Sequence, residues 1–170
     1  MRALWLVGMM GSGKTVVGAL VARRTGLPFV DTDSRIETEY QQTITTIWET
    51  AGEDGFRDLE TEQIARLVTA ARDCVVATGG GSVLRPENVS RMRNNGLVVW
   101  LMAVPEVLAE RLGEGRNRPL LTDRPLDGRL ADLVSERGPA YETAAHHTVD
   151  TGGKSADEIA REVMLLWNDS

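Results

Sequence analysis

Short apolar runs alternate along the chain with longer segments of helical spacing. The runs are Ala3 to Val7, Phe29-Val30, Cys74 to Ala77, Leu97 to Leu101 and, more weakly, Thr148-Val149, each bounded by glycine, proline or polar residues. Uninterrupted runs this short suit strands buried on both faces of a sheet. Helical spacing fills Lys14 to Arg24, Ser34 to Glu49 with a break, Leu59 to Ala71, Pro86 to Arg93, Pro105 to Leu112, Leu126 to Tyr141 and Ala156 to Trp167. The alternation predicts an α/β fold in three layers, a doubly wound parallel sheet of about five strands flanked by helices, with ligands at the carboxyl ends of the strands. Gly113 to Gly128 breaks the pattern: Gly, Arg, Asn, Pro and Asp crowd there around a short apolar interruption at Leu120-Leu121. It reads as a mobile loop.

Length and composition narrow the picture. The 170 residues, against roughly 150 per domain, predict a single domain over 1–170. With 42% hydrophobic and 26% charged residues the chain is expected to fold. The net charge of −6 gives no global attraction for nucleic acid or anionic lipid, and no apolar run approaches a membrane span. Cys74 is the single cysteine, which excludes an internal disulfide and a Cys-rich zinc site and fits a reducing, cytoplasmic compartment.

Chemistry enters at Gly8-Met9-Met10-Gly11-Ser12-Gly13-Lys14-Thr15, which has the spacing Gly, four residues, Gly-Lys-Ser/Thr between an apolar strand and a helix. Its glycines permit positive φ, so successive N–H groups can turn onto phosphate oxygens at a helix N-terminus. Lys14 is placed to neutralise the β and γ phosphates, and Thr15 to ligate Mg²⁺. No Asn-Lys-x-Asp guanine reader is present, and Cys74 to Ala77 runs into Thr78-Gly79-Gly80-Gly81 where many ATPases carry a metal-binding aspartate. The first strand-end carboxylate is Asp31, with Asp33 two residues on and facing the same side of an extended segment. One can serve Mg²⁺ through water and the other accept a proton from an attacking hydroxyl. The alternative for Asp33 is that it caps a helix beginning near Ser34.

The glycine run at 79–81 would let a small molecule lie directly against backbone N–H groups. Arg57, Arg118 and Arg137 read singly as surface residues. Gathered at one cleft they can bind a carboxylate or compensate charge on a transferring phosphoryl group. Cys74 reads as a small buried hydrophobe, Trp5, Trp100 and Trp167 as core, Met9-Met10 as loop filling, and the adjacent His146-His147 as a poor metal pair.

The ordered set Gly-Met-Met-Gly-Ser-Gly-Lys-Thr, Phe-Val-Asp-Thr-Asp, Gly-Glu-Asp-Gly-Phe-Arg-Asp-Leu-Glu, Thr-Gly-Gly-Gly-Ser, Arg-Pro-Leu-Leu and Glu-Arg-Gly-Pro-Ala-Tyr resembles the shikimate kinases, small P-loop kinases with a fold similar to the nucleoside monophosphate kinases. The resemblance runs from the first strand to the last helix. It implies ATP-dependent phosphorylation of the 3-hydroxyl of shikimate by a single P-loop domain needing Mg²⁺, with a substrate-binding region about 32–60 and a lid about 112–128. It also implies site residues. Gly11, Ser12, Gly13, Lys14, Thr15 and Val16 surround the phosphates, Arg111 stacks on adenine, and Lys154 stands in the turn on its other side. Arg118 closes over ATP. Asp31 supports Mg²⁺ through water and Asp33 meets the reacting hydroxyl. Arg57 and Arg137 take the acid's carboxylate, beside Gly79, Gly80 and Gly81, with Trp48 and Phe56 as the apolar wall. The expected partners are ATP and shikimate, with no nucleic acid or membrane, and a monomer is expected. Two departures stand out: Trp48 where the family more often has Phe, and Gly138 and Ala140 where bulkier residues are common. The rival readings are another small-metabolite P-loop kinase, of the gluconate or nucleoside monophosphate type, and a catalytically silent nucleotide-binding module.

Overall fold

A computed structural model describes residues 3–70, 72–113 and 126–169. Its strands are β1 (Ala3–Val7), β2 (Phe29–Asp31), β3 (Val75–Ala77), β4 (Gly96–Met102) and β5 (His147–Asp150). They form one parallel sheet in the order β2-β3-β1-β4-β5, with Leu4 opposite both Val75 and Leu97. The helices are α1 (Lys14–Thr25), α2 (Thr32–Tyr40), α3 (Ile44–Thr69), α4 (Pro86–Asn94), α5 (Pro105–Leu112), α6 (Leu126–Ala144) and α7 (Ala156–Asn168).

Alternation along β1 builds the three layers. Leu4 and Leu6 pack with Val17 and Val21 of α1 and Ile159 and Val163 of α7. Ala3, Trp5 and Val7 point the other way, onto Ile64 of α3, Met92 of α4, Leu108 of α5 and Leu130 and Tyr141 of α6. Every β1 residue is buried, which is why the strand reads as a continuous apolar run. The chain leaves β1 for β2 at one side of the sheet and leaves β3 for β4 at the other. The carboxyl ends of β1 and β3 therefore flank the crevice in which a doubly wound sheet receives its ligand.

The expected elements form, with shifted ends around the second helix. The break after Tyr40 is made by Gln41, in a left-handed conformation at φ 53, and by Thr43, whose hydroxyl caps α3 by accepting from the Thr46 N–H at 3.2 Å. The stretch from Glu53 to Asp58, left between helices by its Gly-Glu-Asp-Gly composition, is helical. Only Gly52, at φ 71 and ψ −178, leaves helical geometry, and it kinks α3. Tertiary packing of Phe56, buried with Ile36 and Ile47, overrides the local glycine signal. Of the loop expected over Gly113 to Gly128, residues 114–125, Arg118 among them, lie outside the described residues, while α6 begins at Leu126, so the last three positions of that expected loop are helical instead. Among the described residues no helix is long and apolar enough to cross a membrane.

Candidate active site

β1 ends at Val7 and the chain turns at once through Gly8, Gly11 and Gly13, with φ of 145, 81 and 97. Gly8 could not be otherwise: a Cβ there would fall on the Leu101 carbonyl oxygen, at 2.5 Å. Gly13 is the N-cap of α1 and offers no side-chain cap. The first N–H groups of α1 thus stay available to an anion, where the helix dipole favours one. Lys14 folds over this loop and donates to the carbonyls of Gly8 and Met9 at 2.7 and 2.9 Å. The loop packs from below on α5, against Leu108 and Leu112, and Ser12 is fully buried within it.

Asp31 lies at the end of β2, beside the start of α1. The Thr15 hydroxyl donates to its Oδ2 at 2.7 Å, while Oδ1 accepts from the Asp33 and Ser34 N–H groups at 3.1 and 3.2 Å. This corrects the capping alternative. Asp31 is the N-cap of α2, and Asp33 sits inside its first turn. A single carboxylate thus links the Thr15 hydroxyl to the helix that carries Asp33. A hydroxyl and a carboxylate facing each other at hydrogen-bond distance are hard oxygen donors of the kind Mg²⁺ takes, so this pair fits the ion.

The glycine turn after β3 is built by close approach. The Thr32 hydroxyl holds the Gly79 N–H at 2.9 Å. A Cβ on Gly79 would overlap Glu60 and meet Asp33 Oδ1 at 2.6 Å; a Cβ on Gly81 would overlap the Arg57 guanidinium. Arg57 therefore lies flat against the turn, 6% exposed, with its Cζ 5.6 Å from the Trp48 ring and 5.5 Å from the Phe56 ring. Those two rings contact each other at 5.8 Å between centroids. Trp48 and Phe56, expected to form an apolar wall, thus stand side by side, and the guanidinium rests on their rings.

Arg57 has two carboxylate partners of different character. Nη1 bonds Glu60, which is fully buried and also accepts from the Ser82 hydroxyl at 3.1 Å. Nη2 pairs at 3.0 Å with Glu53, whose side chain is half exposed. Burial alone pulls the Arg57 pKa down, but Glu60 and Glu53 outweigh it and hold it above its usual value. The group is a permanent cation. Glu60 escaped the sequence reading, although its spacing of three from Arg57 on one helix face was a usable signal.

Arg137 of α6 is 3% exposed, and it acts together with Glu60 and Arg57 on the Tyr141 hydroxyl, so the two expected arginines share one buried region. Gly138 faces open space and Ala140 packs on the core, so neither small residue leaves a defect there. Arg111 at the end of α5 donates to the Thr151 hydroxyl and carbonyl at 2.9 and 2.6 Å, which holds it beside the residue that leads into the 152–155 turn. Lys154 is directed elsewhere, to Glu162 at 2.7 Å. His146 spends its Nδ1 on the Val98 N–H at 3.0 Å, and Cys74 is buried, its thiol pKa pushed up by that burial.

The chain matches the family described as shikimate kinase over residues 10–167. A shikimate kinase of Symbiobacterium thermophilum is 47% identical over 161 residues, 94% of this chain and 92% of the relative. One from Ralstonia nicotianae is 44% identical over 162 residues, 95% and 85% of the two chains. The structure of a shikimate kinase from Acinetobacter baumannii in complex with shikimate superposes with a TM-score of 0.94 at 36% identity, covering 99% of this chain and 94% of that one. The phosphate loop, the paired aspartates and the arginine on its glycine turn thus stand in a chain that belongs to the shikimate kinase family of phosphotransferases.

Proposed function

We propose that this chain transfers the γ-phosphoryl group of ATP to the 3-hydroxyl of shikimate, giving shikimate 3-phosphate and ADP, as a monomer. The observation that carries the reading is the buried Arg57 laid on Gly81, one glycine-turn away from Asp33. It offers a fixed cation for a carboxylate and a carboxylate for a hydroxyl within one crevice, at the edge where the phosphate loop ends.

The roles follow from chemistry. The loop N–H groups and Lys14 hold the triphosphate, and the acid is held by Arg57 and Arg137 against Trp48 and Phe56. Asp33 accepts the hydroxyl proton as the oxygen attacks the γ-phosphorus, and the bond from that phosphorus to the β-phosphate oxygen breaks, releasing ADP. Thr15, and Asp31 through water, would hold Mg²⁺. When bound, the ion neutralises charge on the β and γ phosphates. Positioning supplies most of the acceleration in such a transfer, which suits an acid site built on a packed glycine turn. The substrate-binding region spans about 32–60, and Arg118 contributes charge compensation from the segment about 112–128.

Two variants test acid recognition. Arg57→Ala raises the apparent shikimate KM about 30-fold and leaves ATP binding nearly intact, since a charge-assisted pair is lost. An unchanged shikimate Kd by calorimetry removes Arg57 from the site. Glu53 occupies Nη2 and is half exposed, so it competes with the substrate carboxylate for the guanidinium, and Glu53→Gln lowers the shikimate KM by roughly two- to fivefold. A raised KM would mean that Glu53 orients Arg57 instead.

The reading as a whole is tested by ADP release from purified protein with Mg-ATP and a panel of shikimate, quinate, gluconate, AMP and CMP. Release with shikimate is expected. Release with gluconate or a nucleotide but not shikimate points to the rival kinases, and release with none points to a silent nucleotide-binding module.

A further inference from the structure

Tyr141 lies on α6 four residues beyond Arg137, where side chains share a helix face. Its ring is 1% exposed and stacks on Trp100 at 5.6 Å and 19°. Its hydroxyl donates to the Gly80 carbonyl, in the middle of the glycine turn, and touches the Met9 sulfur of the phosphate loop at 3.5 Å. Gly80 in turn lies between the two: a Cβ there would be 3.6 Å from the Gly8 oxygen and 3.8 Å from the Tyr141 hydroxyl. The phenol is therefore the polar group that joins the acid-binding turn, the phosphate loop and the helix of Arg137.

A planar trans peptide sets its N–H opposite its C=O. With the Gly80 oxygen held by Tyr141, the Gly81 N–H is turned away from α6, and among the described residues it has no backbone partner. The Ser82 N–H closes the turn on the Gly79 oxygen at 3.2 Å, but such a closure is compatible with either orientation of the central Gly80-Gly81 peptide when both residues are glycine, so the bond from Tyr141 selects the one observed. Burial drives the phenol pKa well up, so the hydroxyl keeps its proton and stays a donor throughout the neutral range.

We propose that Tyr141 is a positioning residue for the acid substrate: by clamping the Gly80 carbonyl it fixes the Gly80-Gly81 peptide so that the Gly81 N–H is presented to shikimate. The inference rests on the shikimate site proposed above. It assigns Tyr141 an effect on the acceptor, not on ATP and not on the chemical step.

The test is Tyr141→Phe, which keeps the ring and its stack on Trp100 and removes the hydroxyl. The apparent shikimate KM rises about tenfold, the scale of one lost buried hydrogen bond, while the ATP KM and kcat change less than about twofold. A merely structural role would lower the active fraction and the Tm at unchanged shikimate KM, and that result overturns the proposal. A wild-type protein that does not phosphorylate shikimate overturns the underlying function instead. Should the variant fail to fold, wild-type protein labelled at the Gly80 carbonyl carbon and the Gly81 amide nitrogen decides the matter by NMR. The expected result is a carbonyl shift of a strongly hydrogen-bonded group and a Gly81 amide that moves on shikimate titration. A free carbonyl, or an amide unmoved at saturating shikimate, contradicts the clamp.

Discussion

Asp33→Asn turns over shikimate about 10²-fold more slowly than the wild-type protein while binding it with little change in affinity. Asparagine keeps the size and the position in the first turn of α2 but cannot take the hydroxyl proton. The structure makes this variant clean, because the capping of α2 belongs to Asp31, which accepts from the Asp33 and Ser34 N–H groups. An asparagine at 33 leaves that cap untouched. Had Asp33 been the cap, asparagine would have served nearly as well, and turnover would have survived. Steady-state kcat beside a calorimetric shikimate Kd separates the two. Near-normal kcat in Asp33→Asn removes the residue from proton transfer.

Arg118→Ala lowers kcat by about 10³, with a much smaller effect on shikimate affinity. The expectation comes from charge: a phosphoryl group in transfer carries negative charge on its peripheral oxygens, and a guanidinium aimed at it acts in the transition state more than in the ground state. Lys14 and the loop N–H groups stand where β1 passes into α1. Arg118 is expected to add a second cation to the one that Lys14 supplies. Single-turnover rates with saturating ATP and shikimate measure the step directly. An Arg118→Ala protein within tenfold of wild type would mean that Lys14 and the metal ion suffice.

The fold was legible because its strands are buried on both faces and its punctuation is strong. Ala3 to Val7, Cys74 to Ala77 and Leu97 to Leu101 are unbroken apolar runs bounded by glycine, proline or polar residues, and they become the three central strands. The phosphate loop was legible for a different reason: its glycines and Lys14 act locally, within eight consecutive residues. What escaped depends on contacts distant along the chain. Thr32 holds Gly79 across 47 residues, and Tyr141 holds Gly80 across 61. No periodicity carries such pairings. The sequence points to Asp31 as a metal-side residue and gives no sign that it caps α2, a role it takes because a strand and a helix meet there with no residue between them. The Gly-Glu-Asp-Gly stretch misled in the opposite sense, with strong local breakers overruled by the packing of Phe56.

The destination of the phosphoryl group is read from the product itself. Purified protein is incubated with Mg-ATP and shikimate, and the product is examined by mass and by phosphorus–proton correlation. One phosphate is expected per shikimate, coupled to the proton on carbon 3, with ADP formed in equal amount. ADP accompanied only by inorganic phosphate, or a phosphate coupled to the proton of another carbon, would rule out transfer to the 3-hydroxyl.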